Sequence, residues 1–248
     1  MPPWRCTGCS PCSRPTFTAG APVSWAGVLW PTFALLPRLA TGTEPQPSMH
    51  RWARRLLPAL GVELAIEGHP RSDIPLWVAN HLSWVDPVVL MSLRPMGTIA
   101  KGEVAGYPLI GRWAKRSGIH FVNREDATSR AAALASFTAS LQDGRDMLLF
   151  PEGTTTRGER LAAFYEGGLR AAFDLGLPAQ PMRISSPAPH YPWTGSETLL
   201  PHLQTLFATR TLVTVTAGEV LYPADFCDHA AWLSAFRIAL SPRSSDVR

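Results

Sequence analysis

The stretch NHLSWVD, Asn80 to Asp86, sets an imidazole and a carboxylate five positions apart, just after the short apolar run PLWVA. A carboxylate that accepts from one ring nitrogen fixes the tautomer and leaves the other nitrogen basic. It also favours the imidazolium formed when the ring takes a proton. His81 and Asp86 can therefore act as a general base and its orienting partner. On one regular helix this spacing would separate them by about 140°, so a strand, a turn and a helix start bring them together more easily. The alternative reading is structural: a core histidine beside an aspartate that caps the helix opened by Pro87. Ser83 invites a nucleophile reading, but its neighbours do not form the Gly-x-Ser-x-Gly elbow that exposes a hydroxyl beside an oxyanion hole.

The surrounding pattern supplies elements to position such a pair. PLWVAN, GTIAK, IHFVNR, DMLLF, PAQPMRI and TLVTVTAGEV read as strands, and VVLMSL, LIGRWAKRSG, SRAAALASFTASLQDG and LAAFYEGGLRAAFDLG as helical segments between them. Ser129 is the expected cap of the third helical segment and Gly144 its stop. Repeated alternation of this kind predicts an α/β domain, a mixed sheet flanked by helices. The expected organisation is a tail and apolar segment over 1–56, a catalytic domain over 57–240 and a flexible tail over 241–248. A chain of 248 residues is long enough to bury such a core.

Composition adds a second expectation. Charged residues make up only 17% of the chain, against roughly 25% in ordinary soluble domains. None occurs between Pro15 and Pro37, and the basic stretch MHRWARR follows. Prolines 22, 31 and 37 interrupt this apolar segment, so it is expected to lie on a membrane or re-enter it at least as readily as to span it once, as an apolar, membrane-associated helical segment facing anionic lipid. Packing on the domain is the alternative. Six arginines against the single acid Glu44 place the basic excess in the first 60 residues. No interleaving of aromatic and basic residues points to nucleic acid. Cys6, Cys9 and Cys12 have close spacing but no second half-site, so no metal is expected there.

Four ordered blocks resemble the glycerolipid acyltransferases of the PlsC family. Asn80, His81 and Asp86 match the first block, NHxxxxD; Gly118, Phe121, Asn123 and Arg124 match the second. The third is Phe150, Pro151, Glu152, Gly153, Thr154 and Thr155, and the weakest is LPAQPM, which keeps Pro178 and Pro181 but carries Ala179 and Met182. The likeness covers roughly Pro75 to Pro223. It implies transfer of a fatty acyl group from a coenzyme A or acyl-carrier-protein thioester to a lysolipid hydroxyl, with no metal or other cofactor.

His81 is then the base and Asp86 its orienting partner, while Asn80, Lys101, Asn123, Arg124, Glu152, Gly153 and Thr154 are expected to bind substrate. The Arg124 guanidinium offers several fixed donors to a phosphate. Backbone amides of the 152–154 turn would form an anion nest, with the Glu152 carboxylate taking donors from the turn, from Arg124 or from a headgroup hydroxyl. A helix-capping turn is the structural alternative there. Lys101 would add positive potential near the phosphates of acceptor or donor, or simply reach solvent. HYPWTGSETLLPHL resembles a segment of some lysolipid acyltransferases, with ordinary structural roles expected for His190 and His202. The expected acceptor is 1-acylglycerol 3-phosphate, at an inner or cytoplasmic membrane with the site facing the cytoplasm. Another lysolipid such as lyso-ornithine lipid, a thioesterase and a non-catalytic lipid-binding protein are the competing readings.

Overall fold

The computed structural model describes residues 5–6, 45–102, 118–194 and 198–243. Among the described residues, eight strands form one sheet in the order β1-β2-β8-β7-β3-β6-β4-β5. Its strands are β1 (Arg5–Cys6), β2 (Val62–Glu67), β3 (Leu76–Ala79), β4 (Gly97–Lys101), β5 (Ile119–Val122), β6 (Met147–Leu149), β7 (Ala179–Ser185) and β8 (Thr211–Ala217). Neighbours pair in parallel except β7 and β8, which run antiparallel. The sheet is therefore mixed, as the alternating pattern implies.

Six α-helices among the described residues cover its two faces: α1 (Pro45–Ala59), α2 (Asp86–Leu93), α3 (Ala127–Gln142), α4 (Gly167–Asp174), α5 (Leu199–Ala208) and α6 (His229–Leu240). The central strand shows why both faces must be covered. In LWVA all four residues are buried. Trp77 and Ala79 join the core beneath α1, α2 and α5, whereas Leu76 and Val78 join the one beneath α3, α4 and α6. This is the period-two alternation of a strand with two apolar faces. Arg94 is buried behind the sheet, where its guanidinium donates to the Ile74 carbonyl at 2.6 Å and pairs with Asp146.

The N-terminal expectation needs correction. The described N-terminal helix, α1, is amphipathic: Met49, Ala53, Leu56, Leu57 and Leu60 at its end are buried in the core, while Arg51, Arg54 and Arg55 face outward. This apolar face is already occupied by the domain, which leaves it nothing to insert into lipid. No helix among the described residues is long and apolar enough to cross a membrane, which also overturns the expected membrane placement with its cytoplasm-facing site. The charge-free stretch 15–37, Cys9 and Cys12 and residues 109–117 of the segment LIGRWAKRSG lie outside the described residues.

Local signals also resolve differently from their sequence reading. The N-cap of α3 is Asp126, whose carboxylate accepts from the Thr128 amide at 2.9 Å. Ser129 lies one turn inside and accepts from the Asn123 amide at 2.9 Å, securing the end of β5 to the helix. LAAFYEGG stays non-helical until Gly167, because the Tyr165 amide bonds the Pro151 carbonyl at 2.7 Å and keeps this stretch against the turn after β6.

Candidate active site

The carboxyl ends of β3 and β6 are adjacent in the sheet, and the residues leaving them meet. After Ala79 the chain turns through Asn80 to Val85 and enters α2 at Asp86. The His81 Nδ1 lies 2.8 Å from Asp86 Oδ2. That same oxygen accepts from the amides of Leu82 at 2.6 Å and Ser83 at 2.8 Å. The Tyr191 hydroxyl donates to the other oxygen, Oδ1, at 2.6 Å.

Asp86 is fully buried and serves its own approach turn rather than the helix behind it. It is the first helical residue, Val85 takes the N-cap position, and no side-chain cap bond forms. The helix-cap reading of the sequence therefore fails, because both carboxylate oxygens point back toward residues 81–83 and across to Tyr191. Burial and the neighbouring Asp86 charge push the Tyr191 hydroxyl well above its usual range, so it remains a protonated donor.

The His81 ring is held from two directions. Asp86 fixes Nδ1; Phe150 stacks on the ring with centroids 4.2 Å apart at 24°. The backbone is clamped as well. Glu152 Oε1 accepts from the His81 amide at 2.9 Å, and the Thr156 amide donates to the His81 carbonyl at 2.8 Å. The second Glu152 oxygen accepts from the Ala162 amide at 2.7 Å. Burial raises the Glu152 carboxyl above its ordinary value, against the opposing pull of these two amides and of His81.

His81 lines a cleft of about 320 Å3. One part of the wall is apolar, made by Ile99, Val122, Leu134, Leu149 and Phe150; Arg124, Arg130 and Glu166 supply its charge. With Nδ1 engaged, Nε2 is the nitrogen available to a group in this cleft. Such a ring can take a proton from a hydroxyl, and the guanidinium pair can hold an anion.

The residues expected to bind substrate separate into two groups. Arg124 and Gly153 line the cleft with His81. Asn80, Lys101, Asn123, Glu152 and Thr154 do not. Asn80 spends its amide on the backbone of β7, donating to the Ile184 carbonyl at 2.9 Å and accepting from the Ile184 amide at 2.7 Å. Asn123 accepts from the Glu125 amide at 3.2 Å in a turn, and Lys101 and Thr154 are exposed. Gly153 has φ +61°, and its amide donates to the Phe150 carbonyl at 3.1 Å, so it closes a tight turn.

Two participants escaped the sequence reading. Arg130 sits in the first turn of α3 and donates to the Arg124 carbonyl at 2.6 Å, which joins the two guanidinium-bearing segments. Tyr191 follows His190 in the HYPW segment. The HYPW resemblance was the available signal, but nothing local revealed that a tyrosine 105 positions downstream would reach Asp86.

Comparison with known proteins gives these residues a family context. The family model described as Acyltransferase matches residues 65–185. A lyso-ornithine lipid O-acyltransferase of Pseudomonas aeruginosa is 38% identical over 157 residues, 61% of this chain and 60% of that protein, so the match spans less than two thirds of that relative. One from Rhodobacter capsulatus is 30% identical over 208 residues, covering 75% of this chain and 72% of the relative. The crystal structure of the 1-acyl-sn-glycerophosphate acyltransferase PlsC from Thermotoga maritima shares the fold, with a TM-score of 0.61 at 21% identity over 86% of this chain and 84% of that one. The extent of the Rhodobacter match and the family model spanning β3 to β7 lead to one conclusion: the chain belongs to the PlsC-like family of lysolipid O-acyltransferases.

Proposed function

We propose that this protein transfers an acyl group from a thioester donor, acyl-CoA or acyl-carrier protein, to a lysolipid hydroxyl, with His81 as the general base. The observation that carries this reading is His81 itself: Nδ1 fixed by a buried carboxylate, and the ring on a cleft that also holds Arg124 and Arg130. Nε2 takes the proton as the hydroxyl oxygen forms its bond to the thioester carbonyl carbon. Collapse of the tetrahedral intermediate breaks the C–S bond, and the imidazolium returns the proton to the departing thiolate. Asp86 stabilises the imidazolium between those two events. No covalent acyl-enzyme is formed, and Ser83 is fully buried rather than presented to the cleft.

The acceptor's anionic group is read by Arg124, with Arg130 beside it. The resemblance of the four sequence blocks implies 1-acylglycerol 3-phosphate as that acceptor. A second reading, lyso-ornithine lipid, is supported by Glu166 at the same cleft: its carboxylate opposes a phosphate dianion but suits an ornithine headgroup, which carries an ammonium beside its carboxylate. The Pseudomonas and Rhodobacter relatives point the same way.

Purified full-length protein incubated with both acceptors and both donor types, followed by product mass measurement, tests the reading. His81→Ala should lower turnover by roughly 10²–10⁴-fold while remaining folded. Arg124→Ala should raise the acceptor KM more than the donor KM. Near-parental turnover in folded His81→Ala overturns the mechanism. Thioester hydrolysis without a lipid product would establish a thioesterase instead.

A further inference from the structure

Asp86 touches both His81 and a second buried ionisable side chain in this site, which raises the question of what the second one does. Tyr191 is fully buried, and its hydroxyl bonds Asp86 Oδ1 at 2.6 Å. A tyrosine needed only for packing would be served by phenylalanine. Here the hydroxyl completes a carboxylate whose other oxygen already receives three N–H groups.

The placement of this hydroxyl is built into the fold. Tyr191 lies between β7 and α5, on a segment fixed at several backbone points. The Tyr191 amide donates to the Ala188 carbonyl at 3.0 Å, and the Trp193 amide donates to the Leu82 carbonyl at 2.8 Å, inside the turn that carries His81. His202 on α5 braces the preceding residue. The Trp84 indole N–H lies 3.0 Å from His202 Nδ1, and an indole nitrogen can only donate. His202 therefore accepts at Nδ1 and donates from Nε2 to the His190 carbonyl at 3.0 Å. The result is a closed circuit, in which Trp84 on the Asp86 turn fixes His202, His202 fixes the backbone beside Tyr191, and Tyr191 returns to Asp86.

We propose that Tyr191 is a positioning residue that sets how strongly Asp86 stabilises the His81 imidazolium. This inference rests on His81 being the base. A carboxylate shares its charge among its donors, so a hydrogen bond at Oδ1 lowers what Oδ2 offers to the ring. With the hydroxyl in place the imidazolium forms readily and still gives its proton back to the leaving thiolate. Without it, Asp86 holds the imidazolium more tightly, and more of the ring is in the charged form at a given pH. The other charged groups facing His81 are Arg124, Arg130 and Glu166 across the cleft, with Glu152 at its backbone. None of these touches Asp86, and α2 contributes no other charge. Changing Tyr191 therefore alters one input to the pair.

The test is the pH dependence of kcat for the full-length protein, with an acyl-CoA donor and 1-acylglycerol 3-phosphate or lyso-ornithine lipid as acceptor. Tyr191→Phe should lower kcat about tenfold at neutral pH with KM for both substrates unchanged. Its acid limb should move to higher pH by roughly half a unit or more, in the direction set by the stronger carboxylate. Ser186→Ala serves as the structural comparison: it removes a 2.7 Å bond to the Leu212 carbonyl and loosens the same segment without touching Asp86. It should lower thermal stability and leave the limb in place. Fluorotyrosine at position 191 keeps the shape but donates more strongly, so it should move the limb to lower pH, and it answers the question even if the phenylalanine variant does not fold. A limb unmoved by fluorotyrosine, or moved as far by Ser186→Ala as by Tyr191→Phe, overturns the proposal. If His81→Ala is inactive while the limb stays fixed, only the Tyr191 inference fails; if His81→Ala is active, the mechanism beneath it fails.

Discussion

Asp86→Asn and Asp86→Ala should differ sharply, and the hydrogen bonds around this carboxylate say how. Oδ2 faces three N–H groups, from His81, Leu82 and Ser83, whereas Oδ1 faces one hydroxyl. An asparagine can therefore sit only one way, with its oxygen toward the three donors and its NH2 toward Tyr191, whose hydroxyl can accept as well as donate. The His81 tautomer is preserved, and what is lost is charge. Each charge-assisted bond made neutral gives up roughly 1 kcal/mol, partly offset by no longer burying an ion, for a net loss of about 1–2 kcal/mol. In a chain of this size that is a fall in Tm of about 2–8 °C. Alanine instead orphans the Leu82 and Ser83 amides and the Tyr191 hydroxyl, at about 1–3 kcal/mol each. That approaches the whole stability of a domain, roughly 5–15 kcal/mol. For catalysis, two unit charges about 4 Å apart at an effective dielectric near 20 interact by about 4 kcal/mol, an upper bound equal to about a thousandfold in rate. Asp86→Asn should therefore turn over about 10²–10³-fold more slowly while remaining folded. Steady-state product formation beside thermal denaturation and circular dichroism measures both. Folded Asp86→Asn with turnover within threefold of the parent would refute the role given to the charge, and equal stability of the two variants would refute the hydrogen-bond argument.

Three other residues give separate expectations. Asn80→Ala removes two bonds to the Ile184 backbone and should cost roughly 1–3 kcal/mol in denaturant unfolding without altering acceptor KM; a KM defect in a stable variant would return Asn80 to substrate binding. Gly153→Ala meets both a positive φ of +61° and the Tyr165 ring 2.7 Å from the new methyl. Because Tyr165 is 64% exposed, its ring can swing away, leaving about 1–2 kcal/mol of backbone strain that Tyr165→Ala should not rescue. Burial raises the Glu152 carboxyl, so its contribution to stability is fully present below the ordinary value of 4.5 and lost as pH rises through the higher folded value. Glu152→Gln leaves an amide NH2 facing a backbone N–H and should be less stable throughout, but its thermal stability should decline less between pH 4.5 and neutrality than the parent's; an unchanged slope would show that Glu152 is not the group responsible.

How far the sequence could be read depends on whether a residue's partner is local. The mixed α/β sheet was legible because strand and helix periods are local properties, and LWVA reads as a strand buried on both faces without knowledge of its neighbours. The His81 and Asp86 pair was legible for a similar reason, since five residues close upon themselves in one turn. What a side chain does with the remainder of its bonding capacity is set by long-range contacts. Asn80 and Glu152 sit inside recognisable motifs, yet their polar atoms go to Ile184, His81 and Ala162, so they shape the site from behind instead of lining it. The same logic explains the misreading of the basic stretch near position 51. A helix with three outward arginines suits a lipid surface in sequence, and only the tertiary structure shows its apolar side already packed on the core.

That distinction between lining and bracing residues has a functional consequence. The groups that face the cleft, His81, Arg124, Arg130 and Glu166, are carried by separate segments of chain, whereas the groups that hold the His81 turn converge on a few backbone atoms of residues 81–83. The His81 turn is fixed by Glu152, Asp86, Thr156 and Trp193 through the amide or carbonyl groups of residues 81 to 83, none of which depends on what occupies the cleft. Arg130 and Glu166, by contrast, are exposed at helix starts, where substitution disturbs no buried bond of the turn. His81 is thus held independently of the charged groups across the cleft. Exchanging Arg130 or Glu166 can redirect which lysolipid is accepted while His81 keeps its geometry, so acceptor preference should respond to these two positions in KM and the proton-transfer step should respond in kcat to Asp86 and Tyr191.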